Sequence, residues 1–479
     1  MSFFVFLRVV VNVAIENGER RHLPPAGARK AGGSAQRVSG AGAVAVPLVL
    51  LLAAAPVMGQ QDHGPEITWS ERINVASGEA FRGPWRMNES EFLYVDDPSA
   101  ALRDDATVGV VWADNAAQDI FFRSYTVDGD PELDEATNIS RSPDTFSWLP
   151  RIVMSEGRSD HVYVLWQEIV FSGGSHGGEI LFARSTDGGS SFDDPINLSN
   201  TPAGAGKGRL TRDRWSNGSL DLVEGPGGTL YAAWTEYEGA LWLSRSVDAG
   251  ESFSEPKRIA GGDDALPARA PTIAVGGNGR VYLAWTVGEN PAADIHLVAS
   301  DDGESFGEPR RVTESEGHSD APKLAVDGNG TVHLVYSESP DGPWRNPHVR
   351  YARADDGGRF AESEEISAAH TERFAGAGFP SLAVAGDDEV YVLWELFPTH
   401  GHRSRGLGLT RSGDGGGSFA EPEIVPGTDN PELGFNGSQQ GLLMRKLAVN
   451  DDGDVVVVNS TFRQREASHV WLIRGRAGP

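Results

Sequence analysis

PTIAVGGNGRVYLAWTVGENPAADIHLVASDDGESFGEPRRVT, residues 271 to 313, contains one full structural repeat. Two apolar runs, PTIAV and VYLAW, are joined by Gly276-Gly277-Asn278-Gly279, a composition that favours a hairpin turn. A third run, DIHLVAS, follows, and beyond the turn DDGESF lies a short fourth, RRVT. The second run recurs along the chain as VGVVWAD (108–114), VYVLWQE (162–168), LYAAWTE (230–236), VYLAWTV (281–287), VHLVYSE (332–338), VYVLWEL (390–396) and a divergent VVVVNST (455–461). These seven runs, spaced 51 to 68 residues apart, number the repeats 1 to 7 below.

Runs apolar on both faces need neighbours on both sides, and repeats of four such strands are accommodated by radial packing that leaves only short edges. The expected fold is all-β, a seven-bladed β-propeller, with six blades as the alternative if a divergent terminal repeat is not a full blade. Repeat 7 lacks a fourth run, but SERINVA (70–76) reads like SEPKRIA (254–260) of repeat 3. The N-terminal strand is therefore expected to complete the last sheet and close the ring, giving a single domain over residues 67–475.

The 479 residues carry 41 Lys+Arg against 68 Asp+Glu, a net charge of -27, and no Cys. Absence of cysteine removes disulfides, thiolate metal sites and Cys nucleophiles. The acidity argues against nucleic acid and anionic membrane as partners, since both need a cationic footprint. Residues 1–59 differ: six basic residues and two acidic ones, with Arg29, Lys30 and Arg37 ahead of the uncharged stretch Val38–Gly59. Basic flank, short apolar centre and small residues follow the pattern of a secretory signal. The expectation is an N-terminal extension with a signal cleaved near Ala55–Gly59 and a secreted or periplasmic product. Membrane attachment would come only through an uncleaved anchor. Without the leader the chain holds 35 basic and 66 acidic residues, a net of -31.

The turns between third and fourth runs carry a resemblance. Ser185-Thr186-Asp187-Gly188-Gly189-Ser190-Ser191-Phe192, Ser246 to Phe253 and Ser412 to Phe419 share the pattern S-x-D-x-G-x-S-F, with shortened copies at SDDGESF (300–306) and ADDGGRF (354–360). The pattern resembles the Asp-box, or bacterial neuraminidase repeat, of sialidase-like propellers. It gives Asp187, Asp248, Asp302, Asp356 and Asp414 a structural part: a carboxylate that accepts turn N–H groups. The resemblance implies that the active face is the opposite one, where first strands begin and second strands end.

Two residue sets fall on that face. The position after proline at the start of the first strand reads Arg151, Ser219, Thr272, Lys323 and Ser381, with Lys446 by alignment. Cations converging there in so acidic a chain point to an anionic ligand, a carboxylate or sulfate. Arg269, Arg373 and, in the basic loop GKGRLTRDRWSNG (206–218), Arg212 and Arg214 complete the candidate ligand-binding set. Asp114, Glu168, Glu236 and Glu338 each follow the second-strand aromatic by two residues, and Glu395 by one. Carboxylates around a pocket are what glycoside hydrolysis uses as acid and base.

Sialidases hold the substrate carboxylate with three Arg, attack with a Tyr activated by Glu, and carry an F-R-I-P motif. Here the nearest string is Leu149-Pro150-Arg151-Ile152, and only Tyr237 stands in a loop beside a carboxylate, Glu236. The leading expectation is a sialidase-like glycoside hydrolase or glycan-recognition propeller taking a glycan or other anionic ligand. The alternative is a non-catalytic scaffold that binds a protein. No metal site or cofactor is expected. Runs such as NDDGD (450–454) resemble calcium loops but occupy hairpin positions, which leaves calcium open.

Overall fold

The computed structural model describes residues 67–478 apart from 85, 87, 143, 173–174, 201–218, 237–238, 263–264, 289–291, 315–316, 343–344, 346, 356, 368–372, 399–402 and 438–443. The chain divides into two units, Met1–Asp62 and His63–Pro479, and the described residues belong to the second. The expected leader and anchor segment therefore lies outside them.

The described chain is an all-β propeller, with helix limited to the three-residue turns Pro226–Gly228 and Pro431–Leu433. In repeats 1, 2, 3 and 6 four strands pair antiparallel in chain order. Repeat 2 is representative, with Phe146–Met154, Val162–Ser172, Ser175–Ser185 and Ile196–Asn197. Repeat 7 supplies Leu447–Val449, Asp454–Arg463 and Ala467–Ala477, and the N-terminal strands Ile67–Trp69 and Ile73–Gly78 both pair with the last of these.

By hydrogen bonding these form five separate sheets of four or five strands, not the seven or six expected. The difference has a local cause. The strands of repeats 4 and 5 lie in one eight-stranded sheet, joined by a parallel bridge between Ala293 and His318. A two-stranded ribbon, Phe81–Arg82 with Phe92–Leu93, precedes repeat 1.

The second strands are the core. Val162, Tyr163, Val164, Leu165 and Trp166 of repeat 2 are all fully buried, and Leu230 to Trp234 and Val390 to Trp394 nearly so. Fully burying one such large apolar side chain stabilises by about 1.5–3 kcal/mol. Alternate residues face opposite neighbours, so each cluster spans successive repeats. Tyr391, Leu393 and Leu409 of repeat 6 pack with Val455, Val457 and Ile473 of repeat 7. Val456, Val458 and Leu472 of repeat 7 pack with Val95, Val108 and Val110 of repeat 1.

First strands share a second device. Asp97, Leu149, Ala270, Ala321 and Phe379 each have a positive φ, between 48 and 56°, and each precedes a proline. The strand register shifts at all five points. Proline cannot donate to a ladder, so it falls where a bulge breaks the pairing.

The turns between third and fourth strands pack on the preceding repeat. Gly416 has φ +77°, and a Cβ there would collide with the Tyr351 hydroxyl of repeat 5. Gly188 has φ +71° but open space around it. A left-handed alanine costs about 1–2 kcal/mol. Gly188→Ala should cost about that much, and Gly416→Ala clearly more because Tyr351 must move as well. Paired thermal melts check this, and equal shifts in Tm would show that packing between repeats contributes nothing at the turn.

Candidate functional site

The register aligns one polar residue on each first strand. Ser99 lies opposite Val111, Arg151 opposite Leu165, Asp221 opposite Ala233, Thr272 opposite Ala284, Lys323 opposite Val335 and Ser381 opposite Leu393. These partners occupy equivalent places in the second-strand runs. In repeat 7 the Val458 N–H donates to the Lys446 carbonyl, which completes the series. All seven side chains are buried. Repeat 3 thus contributes Asp221, not Ser219 as alignment on proline suggested; its first strand has no proline, and Ser219 lies two residues earlier. Neighbouring strands bond through these side chains: Ile273 N–H donates to Asp221 (3.0 Å), Leu324 N–H to Thr272 (3.2 Å) and Lys446 N–H to Ser381 (3.2 Å).

Charge in this layer is organised around two carboxylates. Arg445 donates to Asp221 Oδ2 at 2.9 Å and its Nη2 also lies 2.9 Å from Oδ1, while Arg151 Nε lies 3.9 Å from the same carboxylate. Lys446 donates to Glu395 and to Asn459 Oδ1 (2.8 Å), while Asn436 donates to the second Glu395 oxygen (2.6 Å).

The ionisation states follow. Burial raises the Asp221 carboxyl, but Arg445, Lys323 and Arg151 outweigh it and hold the group below its usual range. Burial, with Arg151 and Arg445 adding repulsion, brings the Lys323 ammonium down to about 7 against the pull of Asp221. Burial likewise brings Arg151 down to about 10. Asp97 is pushed well above the usual carboxylate range by burial and by Asp96, against Arg151 and Lys446. Arg151, Lys323 and Arg445 thus share Asp221, while Asp97, next to the buried Asp96, is shifted toward its neutral form.

The remaining candidates are dispersed. Arg269 donates to the Gly288 carbonyl, pairs with Asp320 (3.3 Å) and meets His318 Nε2 at 3.1 Å. Arg373 is exposed and paired with Asp429 at 2.6 Å. Asp114 accepts the N–H groups of Ala116 and Ala117 in its own turn. Glu168 is buried and accepts bonds from Thr145, Ser147 and Trp166; burial raises its carboxyl. Glu236 pairs through its backbone with Ala240. Glu338 faces Arg350 Nε at 3.3 Å. These acids lie on different repeats, each in its own surroundings. Tyr237, Arg212, Arg214 and Asp356 lie outside the described residues.

On the opposite face, Asp187, Asp248 and Asp414 each accept a serine hydroxyl two residues back and an N–H four residues on, at 2.7–2.9 Å. Asp302 accepts from Ser300, Glu304 N–H and Ser305 N–H. Among the described residues no group of three His, Asp or Glu is placed to hold a metal ion. Proline alignment missed Ser99, Asp221, Asp97 and Arg445. Counting back from the hairpin turn would have found Asp221.

No protein-family model matches the chain, and no characterised protein sequence matches it. Its fold is similar to that of a polysaccharide lyase, the PL25 ulvan lyase bound to -[GlcA(1-4)Rha3S]-. That match has a TM-score of 0.51 and 12% identity, over 84% of this chain and 95% of that one. Polysaccharide lyase Uly1 matches with TM-score 0.52 and 10% identity, over 85% and 99%. A Hadza microbial sialidase matches less well, with TM-score 0.41 and 15% identity over 63% of each chain. At such identities the similarity is one of fold. The class so defined is an all-β propeller whose structural neighbours include glycan-processing enzymes.

Removing one member of a buried ion pair costs about 3–5 kcal/mol because the other charge is left in low dielectric. Lys446→Met and Glu395→Gln should each destabilise by about that amount, and the double substitution by clearly less than the sum. Denaturant titration of the three variants measures the coupling; simple additivity would mean that the pair does not act as a unit.

Proposed function

We propose that the chain is an exported, sialidase-like propeller of the Asp-box type that recognises an acidic saccharide on the face where first strands begin. In this reading the eight-stranded sheet is two blades, and the N-terminal strands close a ring of seven through repeat 7. Export rests on the leader of residues 1–59. The observation that carries the ligand class is the grouping of Arg151, Lys323 and Arg445 about the carboxylate of Asp221. Burying excess positive charge is costly unless a counter-charge joins it or a proton leaves. An acidic group of the ligand supplies that counter-charge. The solved complex of the structurally similar ulvan lyase, which contains glucuronate and a sulfated sugar, is consistent with this class. The dispersal of Asp114, Glu168, Glu236 and Glu338 favours recognition over hydrolysis by that set, and a protein-binding scaffold is the second reading.

The sign of the pH dependence follows from Lys323. Its ammonium titrates near 7 in the folded protein against 10.5 for an ordinary lysine, so it is charged below 7 and neutral above. Affinity for a uronate- or sulfate-bearing oligosaccharide should therefore be highest below pH 7 and fall by up to about tenfold per pH unit above it. Lys323→Met should bind more weakly and with a flat pH profile. Titration calorimetry at pH 6 and 8, beside an assay for new reducing ends, tests this. Failure to bind any acidic saccharide would leave the scaffold reading.

A further inference from the structure

A second cationic group on the same face has different surroundings. Arg82 lies over the ring of Phe92, its carbon 5.5 Å from the centroid. Arg403 lies over Phe435 at 5.4 Å and over Phe462 at 5.8 Å. Arg405 covers Phe435 at 4.9 Å and donates from Nε to the Gly434 carbonyl. Arg151, Arg269, Arg373 and Arg445 all have a carboxylate within 4 Å. Among the described residues, Arg82 and Arg403 have none; their contacts are with rings.

The chain brings these residues together from distant places. Arg82 belongs to the ribbon ahead of repeat 1, and Arg403 to the second-to-third connection of repeat 6. Phe435 precedes the first strand of repeat 7, and Phe462 ends its second strand. All four positions belong to the face where first strands begin. The rings beneath the two guanidinium groups are contiguous, with centroids 5.7 Å apart from Phe92 to Tyr94 and 5.3 Å apart from Tyr94 to Phe462, and Arg403 is lowered by burial and then by Arg82, with Asp96 and Tyr94 opposing. Both guanidinium groups also act on the buried Tyr94, whose hydroxyl makes no hydrogen bond to a described residue. Asp96 is buried too and accepts a bond from Ser460.

A guanidinium stacked on an aromatic face keeps its in-plane N–H donors available, and two such forks over one contiguous row of rings offer donors to the oxygens of a carboxylate or sulfate. Like charges held over contiguous rings, with Asp96 opposing them and Asp97 shifted toward its neutral form, leave a net attraction for an anion. We propose that Arg82 and Arg403, with the Tyr94 hydroxyl as a further donor, bind one carboxylate or sulfate group. For the identity of the ligand this rests on the acidic-saccharide reading above. With the group about Asp221 it implies a saccharide carrying at least two acidic groups.

The test uses the intact protein, Arg82→Gln and Arg403→Gln, with thermal melts to check folding. The probes are sodium sulfate, a sulfated uronate oligosaccharide and its desulfated counterpart. Loss of one charge-assisted contact should weaken sulfate and the sulfated oligosaccharide by about tenfold or more in each variant. An equal loss for the desulfated oligosaccharide assigns the site to a carboxylate; no loss there assigns it to a sulfate. If either Gln variant fails to fold, Arg403→Lys keeps the charge, removes the fork, and should still lose affinity. Wild-type binding of sulfate and oligosaccharides by the variants overturns the site while leaving the saccharide reading intact. Arginine-dependent sulfate binding without any saccharide binding overturns the saccharide reading and leaves the site. Absence of both overturns both.

Discussion

A strand apolar on both faces has no surface to offer water. Val162 to Trp166, Val281 to Trp285 and Val390 to Trp394 all meet that condition and are almost wholly buried. Each needs a sheet on either side, so the stable arrangement is a succession of sheets in which every second strand is an interior layer. The rest of the structure depends on this demand. First strands are driven to the inner edge, third strands outward, and fourth strands shrink to two residues in five of the repeats. Short outer strands leave little unpaired edge for another chain to extend.

The inner edge then has a problem of its own. Strands lining a centre cannot pair there, and their polar groups are buried. The bulges at Asp97, Leu149, Ala270, Ala321 and Phe379 break the ladder at a proline and place a polar residue just beyond it. In repeats 4 and 6 that residue accepts an N–H from the next first strand, and in repeat 3 Asp221 does so from the equivalent place without a bulge. The same position therefore serves two ends. Thr272 and Ser381 lace the strands together, Arg151 and Lys323 set the charge of the centre, and Asp221 does both.

Periodic features were legible in the sequence and convergent ones were not. The second-strand runs and the S-x-D-x-G-x-S-F turns repeat with fixed composition because every sheet imposes the same burial and the same turn. Asp221 was legible in principle, but its repeat lacks the proline on which the others were aligned. The joining of repeats 4 and 5 depends on one bridge between Ala293 and His318, below the resolution of any pattern. Carboxylates chosen for following an aromatic proved to share a sequence offset without sharing a place. Asp114 caps a turn, Glu168 sits among hydroxyls, and Glu338 faces an arginine. Offset along a strand fixes height in a sheet, whereas convergence depends on side-chain reach across repeats.

Net charge also takes on a different meaning once it is distributed. The chain is strongly acidic, yet the layer at the inner strands holds Arg151, Lys323, Arg445 and Lys446 against Asp221, Glu395 and Asp96, with Asp97 biased toward its neutral form. In a low-dielectric interior such an imbalance is felt far more strongly than the same excess on a wetted surface. The acidic exterior does little to cancel it, because charges separated by more than about 8–10 Å of salt solution are screened. On the proposed reading, an anion at this face gains little from the bulk field and much from Arg151, Lys323 and Arg445. Selectivity for acidic ligands is thus compatible with a net charge of the same sign as the ligand.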